Sequence, residues 1–192
     1  MLAGRVDAST GAMAGIVEVN GRPREKKSFR SVMNYVSQEM AFLGSFTVLE
    51  TLQMAAGLSL PAHVPQLTRE SRVQDVIDDM GLRNCARTRV GDVFHKGISN
   101  GQLKRLSIAV ELISNPSILL LDEPTSGLDS SSAQRVMEHI VKLCKEGKNI
   151  VCTIHQPSSA IYEMLTNLVI LSMGELVYFG PTTNTLTHFF AL

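Results

Sequence analysis

Short apolar runs that end abruptly in polar residues alternate with stretches of helical periodicity along this chain. Residues 117–121 form a continuous apolar run typical of strands buried on both faces of a parallel sheet, and residues 149–154 form another. A helical stretch, residues 131–144, separates the two runs and predicts a strand–helix–strand crossover. Residues 32–36 predict one more strand. The pattern therefore predicts an α/β fold with a mostly parallel sheet.

Segments near both ends of the chain predict tight turns between short strands. Residues 15–21 indicate a strand that closes at Asn20-Gly21, and a basic, polar connection follows as far as residue 30. Residues 168–172 and 176–179 are apolar and flank a Met-Gly-Glu turn. They predict a hairpin near the end of the chain.

The middle of the chain predicts helices instead of strands. Thr47 and Glu50 have the spacing of a capping box at the start of one helix. Four apolar positions at helical spacing predict a second helix: Val73, Val76, Ile77 and Met80. Gly81 can end that helix. We therefore expect a helical subdomain at residues 45–112, inserted into an α/β core made by residues 1–44 and 113–192.

Composition and charge exclude several classes of protein. The 192 residues carry 18 Lys and Arg against 18 Asp and Glu, so the formal net charge is zero and a nucleic-acid partner is disfavoured. The 3 cysteines are scattered, without the spacing of a zinc site or a disulfide framework, which favours a reduced, cytosolic setting. No apolar run approaches the roughly 18–20 residues that a membrane-spanning helix needs.

Two adjacent carboxylates, Asp122 and Glu123, follow the apolar run at residues 117–121. Phosphoryl-transfer sites need one carboxylate to hold Mg²⁺ and a second group to orient or deprotonate the attacking water. Asp122 suits the first role and Glu123 the second. An acidic, Pro-containing turn after a strand would be an equally good interpretation of Asp-Glu-Pro alone. The Thr-Ser-Gly-Leu-Asp that follows favours the catalytic interpretation.

The segment Ile118-Leu-Leu-Leu-Asp-Glu-Pro-Thr-Ser-Gly-Leu-Asp129 resembles the Walker B motif and D-loop of ABC ATPases. Three other segments resemble further motifs of that family in the expected order. Tyr35-Val-Ser-Gln38 is similar to the Q-loop, Ser99-Asn-Gly-Gln102 to the signature loop, and Thr153-Ile-His155 to the H-loop. The resemblance implies a P-loop NTPase-type, RecA-like core with an inserted helical subdomain, and ATP with Mg²⁺ as its ligands.

The resemblance also assigns roles to individual residues. The implied catalytic residues are Glu123, His155 and Gln38, and the implied Mg²⁺ ligands are Asp122 and Gln38. The implied ATP contacts are Ser99, Asn100, Gly101, Gln102 and Asp129. Asn100 stands where the family usually has glycine. Its side chain beside the phosphate is expected to weaken the contact with ATP.

Further stretches, among them residues 46–56 and 177–181, resemble the G, or White, subfamily. Members of that subfamily export sterols, lipids, pigments or xenobiotics, and their ATPase domain precedes a membrane domain. The resemblance therefore implies two partners, a second nucleotide-binding domain and an ABC transmembrane domain, and a location at the cytoplasmic face of a membrane. Soluble ABC ATPases of DNA repair or translation are a weaker alternative, because the chain has no coiled-coil insertion, basic arm or second cassette.

The P-loop motif Gly-x-x-x-x-Gly-Lys-Ser/Thr, which cradles the phosphates, does not occur in the sequence. Residues 1–5 resemble the end of the helix that follows this motif in the family. We expect the chain to be an N-terminally truncated domain that lacks the first strands and the P-loop, with negligible hydrolysis on its own. An alternative is an ATPase-deficient module that completes the site of a partner.

Overall fold

The computed structural model describes residues 15–38, 41–92 and 94–190. The elements run in the order β1 (Glu18–Val19), β2 (Arg22–Pro23), α1 (Lys26–Val32), β3 (Met33–Val36), α2 (Val48–Ser59), α3 (Gln66–Asp79), α4 (Asn100–Leu112), β4 (Ile118–Asp122), α5 (Ser130–Lys145), β5 (Asn149–Thr153), α6 (Ser159–Glu163), β6 (Asn167–Ser172), β7 (Glu175–Pro181) and α7 (Thr185–Phe190). Short 3₁₀ turns lie at Arg83–Cys85 and Thr182–Asn184.

A three-stranded parallel sheet, in the order β3-β4-β5, forms the centre of the fold. Its middle strand is buried, and Leu119 and Leu121 are almost fully enclosed. The register pairs Val36 with Leu121, and Asp122 with Thr153. All three strands therefore end at the same edge, where open α/β sheets place their ligand-binding groups. The predicted α/β fold with a parallel sheet is confirmed.

The helices α2, α3 and α4, between β3 and β4 in the chain, form a layer, and capping residues mark the ends of two of them. The predicted capping box begins α2: Thr47 accepts a hydrogen bond from the Glu50 backbone N–H, and the Glu50 side chain accepts one from the Thr47 backbone N–H. Gly81, in the left-handed conformation with φ 58°, follows the end of α3. Both predicted helices are confirmed.

One core cluster joins this helical layer to the sheet. Its largest fully buried side chains include Leu52, Ile77, Met80, Leu106, Ile108, Leu119 and Met137. They come from α2, α3, α4, α5 and β4, so burial of a continuous apolar surface fixes the helices against the strands. None of the helices in the described part of the chain is both long enough and apolar enough to cross a bilayer.

Two segments near the start of the described region differ from the sequence prediction. Residues 15–21 contain only a two-residue strand, which pairs with β2 through the turn at Asn20-Gly21. The basic, polar connection contains the helix α1, which runs directly into β3 at Met33. A helix of 7 residues is too short to show a periodicity, and its buried Phe29 contacts Met33 and Leu120 of the sheet. The hairpin of β6 and β7 forms as predicted.

Candidate functional site

Asp122, the last residue of β4, lies between hydrogen-bond donors from both neighbouring strands. The Tyr35 hydroxyl donates to its Oδ2 at 2.6 Å, and the Thr153 hydroxyl donates to its Oδ1 at 2.7 Å. These two bonds, from Tyr35 first and Thr153 second, lower the pKa of the Asp122 carboxyl, and the nearby Lys104 charge adds to the effect. The sheet therefore fixes Asp122 as a carboxylate whose orientation is set from both sides.

Glu123 follows in the left-handed backbone conformation, with φ 44°. Such a conformation is costly for a residue with a side chain and is found where a site demands it. The Glu123 backbone N–H donates to the Thr153 hydroxyl at 3.0 Å, which fixes the turn. The Gln38 side-chain amide donates to Glu123 Oε2 at 3.0 Å and to Ser126 Oγ at 3.4 Å. The structure thus brings Gln38 and Glu123, both predicted site residues, into direct contact.

A cleft of about 560 Å³ opens beside Glu123. Its walls are the loop after β4, the loop after β5 and the first turns of α5 and α6; the lining includes Glu123, Ser126, Gly127, His155, Gln156 and Ser158. His155 is exposed and lines this cleft from the loop after β5, and Gln156 follows with φ 48°. The cleft has the size of a small-molecule site and joins two of the predicted segments, residues 118–129 and 153–155.

The Ser99–Gln102 loop begins α4 as a second capping box. Gln102 donates its backbone N–H to Ser99 Oγ at 3.3 Å, and Gln102 Oε1 accepts from the Ser99 backbone N–H at 2.8 Å. Asn100 is the first residue of the helix and does not have a positive φ, so a glycine is not needed there for conformational reasons. Gly101 packs closely against α5, because a Cβ there would lie 3.2 Å from Ser132 Cβ, a tight contact.

Beside this loop lies a smaller cavity of about 180 Å³, lined by Ser99, Gly101, Gln102, Arg105, Ser132 and Arg135. Asp129 stands nearby as the N-cap of α5 and accepts a hydrogen bond from the Ser132 backbone N–H at 3.0 Å. Hydrogen bonds from the Ser132 side chain and backbone lower the pKa of the Asp129 carboxyl. Asp129 therefore has a structural task as an N-cap, besides the nucleotide contact predicted for it.

Sequence reasoning did not single out three groups that hold the site together: Tyr35, Thr153 and Lys104. Tyr35 and Thr153 lie inside the motif segments quoted above, but nothing in their local sequence indicates a common partner. The register between three strands that are distant in sequence determines that both reach Asp122. The local sequence shows that polar residues lie near the ends of these strands, but it does not specify which side chains they will contact.

The oxygen donors at the carboxyl-terminal edge of the sheet fit a Mg²⁺ ion that is bound together with a phosphate. Mg²⁺ is usually held by one or two carboxylates together with waters and substrate oxygens, and not by an all-protein cage. Asp122 and Gln38, with Glu123 between them, supply oxygen donors of the required kind.

The fold is that of nucleotide-binding ATPase domains. The cbiO1 protein of Clostridium perfringens, part of the ABC transporter complex cbiONQ, superimposes with a TM-score of 0.75 at 22% identity, over 91% of this chain and 68% of that one. The ATP-binding cassette MJ1267 superimposes with a TM-score of 0.67 at 18% identity, over 84% of this chain and 66% of that one. These similarities show that the chain shares the fold of those two proteins.

The sequence comparisons define the family. The ABC transporter family model matches residues 1–126. The chain is 44% identical to ABC transporter G family member 1 of Dictyostelium discoideum over 92% of its length, and 40% identical over 100% of its length to the broad substrate specificity transporter ABCG2 of Bos taurus. It spans 22% and 29% of the lengths of those two relatives. The chain belongs to the ABC transporter family and is a nucleotide-binding domain sequence of the G type.

Proposed function

We propose that this chain supplies residues of the ATP-hydrolysing site of a G-type ABC exporter. In this role it binds ATP with Mg²⁺ and drives a membrane domain that moves lipid, sterol or xenobiotic-type compounds. One observation carries the proposal: Asp122 and Glu123 leave the central strand together, and each is oriented by its own hydrogen bonds. A structural acidic turn has no need of two separately held carboxylates beside an open cleft.

The residues divide the chemistry of phosphoryl transfer among them. Asp122, kept ionised by Tyr35 and Thr153, is the proposed Mg²⁺ ligand, with Gln38 as a second oxygen donor. Bound Mg²⁺ would neutralise charge that develops on the transferred phosphate. Glu123 orients and deprotonates the attacking water, and Gln38 holds the Glu123 carboxylate in place. His155 reaches the same cleft from the loop after β5 and is proposed to contact the terminal phosphate.

The Ser99–Gln102 loop is proposed to serve the nucleotide of a second domain. Its serine hydroxyl and the free N–H groups at the start of α4 form an anion-binding end of a helix, as a γ-phosphate requires. The membrane-domain partner and a place at the cytoplasmic face of a membrane belong to the same proposal. The names of the G-type relatives support the transporter role, and the name of ABCG2 describes that relative as a transporter of broad substrate specificity.

A second candidate function is a module that completes the site of a partner without gripping nucleotide itself. It is favoured by one observation: the Ser99–Gln102 loop is fully formed, with both hydrogen bonds of a capping box in place. In that function Glu123 would be dispensable for turnover, and Ser99 would not.

Mg-ATP binding and turnover by the chain, alone and mixed with an intact G-type ATPase domain, separate the two functions. Glu123→Gln, which keeps size and removes charge, is the matched variant. Turnover that needs Glu123 supports the ATPase assignment. Turnover of the mixture that depends on Ser99 but not on Glu123 supports the partner-completing module. A mixture whose turnover is the same with and without the chain contradicts both.

A further inference from the structure

The Lys104 side chain of α4 donates a hydrogen bond to the Gln38 backbone carbonyl, 66 residues away in sequence. Gln38 in turn donates its side-chain amide to Glu123 at 3.0 Å. Lys104 is half-buried, and its charge also acts on the neighbouring Asp122. A single lysine on α4, the helix capped by Ser99, therefore holds the backbone of the residue that contacts Glu123.

Helix α4 lies along β3 and is tied to it at both ends. At the far end, Asn34 Nδ2 donates to the Glu111 carbonyl at 2.6 Å and to Ser114 Oγ at 2.9 Å. Seven helical residues separate positions 104 and 111, a rise of ~10.5 Å. Four residues separate position 34, within β3, from position 38, just beyond the strand, a span of at most ~13 Å. The similar lengths show why one helix can reach both Asn34 and Gln38. Asn34 anchors one end, and Lys104 anchors the end at the site.

The position of Lys104 on α4 links its contact with the Gln38 carbonyl to the Ser99–Gln102 loop. Lys104 lies within the second turn of a helix whose first residues, with the N-cap Ser99, form the loop proposed to meet a partner's nucleotide. A helix moves as a rigid element, so a displacement of its first turn also displaces Lys104. Hydrogen bonds from charged donors are stronger than neutral ones, and this one acts on the Gln38 carbonyl, two residues beyond the end of β3.

We propose that Lys104 is a positioning residue that couples the Ser99–Gln102 loop to the Gln38–Glu123 pair within one chain. The inference rests on the proposed function, in which that loop and that pair serve two different nucleotides. In this role Lys104 acts through the Gln38 backbone. It fixes the backbone of Gln38, so that Gln38 meets Glu123 only when α4 is in the position observed here.

The test uses the 192-residue chain labelled with ¹⁵N-glutamine, with the Gln38 side-chain amide resonance assigned by its loss in Gln38→Ala. Lys104→Met removes the donor and keeps the length of the side chain, whereas Lys104→Arg keeps a charged donor. We expect Lys104→Met to move the Gln38 side-chain resonance to its position in Glu123→Ala, which removes the acceptor, and to raise its hydrogen exchange by about tenfold. Lys104→Arg restores most of the original position.

Asn34→Ala is the matched control, because it breaks the contact at the other end of the same helix. It is expected to leave the Gln38 side-chain resonance in place, which separates a specific link from a general loosening of α4. A Gln38 resonance that is the same in Lys104→Met as in the unsubstituted chain overturns the proposal, as does an equal displacement in Asn34→Ala. These measurements need no ATP, so absence of Glu123-dependent turnover would contradict the proposed function and leave the Lys104 contact standing.

Discussion

Tyr35 and Asp122 are joined across neighbouring strands by a hydrogen bond of 2.6 Å from the phenol to Oδ2. The two residues are 87 positions apart and meet because the parallel register places the ends of β3 and β4 side by side. This bond and its counterpart from Thr153 hold the pKa of the Asp122 carboxyl below its ordinary value. The geometry of the site is thus linked to the stability of the sheet.

Tyr35→Phe is expected to lower the free energy of unfolding by about 1 kcal/mol at pH 7, because Asp122 loses a donor to its charged form. The folded pKa of Asp122 is depressed, so this stabilisation is present above the unfolded value of about 3.9 and disappears as pH falls through the folded pKa. Urea unfolding at pH 7 and below pH 4 measures the difference. Tyr162→Phe, which removes a long bond of 3.5 Å to a neutral carbonyl, is the control. A deficit in Tyr35→Phe that persists at acid pH contradicts the assignment.

The two capping boxes allow cap strength and nucleotide contact to be measured separately. Thr47→Ala and Ser99→Ala should each lower the free energy of unfolding by about 1 kcal/mol, because each removes an N-cap oxygen. Ser99→Gly retains most of the cap energy, since glycine is only a few tenths of a kcal/mol worse at an N-cap. If Ser99 contacts nucleotide, Ser99→Gly should lower turnover with a partner domain while Thr47→Ala leaves it intact. Equal turnover in all three variants would remove Ser99 from the proposed site.

Replacing glycine with alanine is expected to have opposite effects on stability at positions 97 and 57. A Cβ on Gly97 would lie 2.0 Å from the Val90 carbonyl oxygen, so Gly97→Ala must displace backbone and should cost at least about 2 kcal/mol. Gly57 is exposed within α2, where an added Cβ meets no atom within 4 Å. Gly57→Ala should therefore stabilise the chain by about 0.5–1 kcal/mol. Denaturation midpoints measure both, and a stabilised Gly97→Ala would show that the loop does not pack as described.

The environment of His139 is expected to make the free energy of unfolding depend on pH. Its Nδ1 is 2.7 Å from the Asp79 carbonyl oxygen, and burial, with the nearby charges of Arg105 and Lys142, lowers its pKa. The unfolded chain therefore binds a proton before the folded chain does, and the free energy of unfolding falls as pH drops below about 6.5. His139→Gln should reduce the slope of stability against pH between 5 and 7, measured by chemical denaturation. An unchanged slope would assign the pH dependence to other groups.

Local features of the fold and the site could be predicted because they depend on residues close in sequence. The capping box at Thr47 acts over three residues, and the end of α3 depends on Gly81, so the amino-acid pattern is sufficient for both. The acidic pair at the end of β4 is local as well: a fully apolar run predicts a buried strand, and the two carboxylates follow it directly. The short helix α1 was missed because its decisive contact, Phe29 with the sheet, is tertiary.

The sequence by itself determined the element types, the order of the motif segments and the position of Asp122 and Glu123 at a strand end. Only the tertiary structure decided which side chains act on them. Tyr35, Thr153 and Lys104 meet their partners through strand register and through the packing of α4 on β3, which depend on burial of apolar surface shared by segments far apart in the chain. Hydrophobic burial is non-directional, and no short stretch of sequence encodes which polar groups it will bring together.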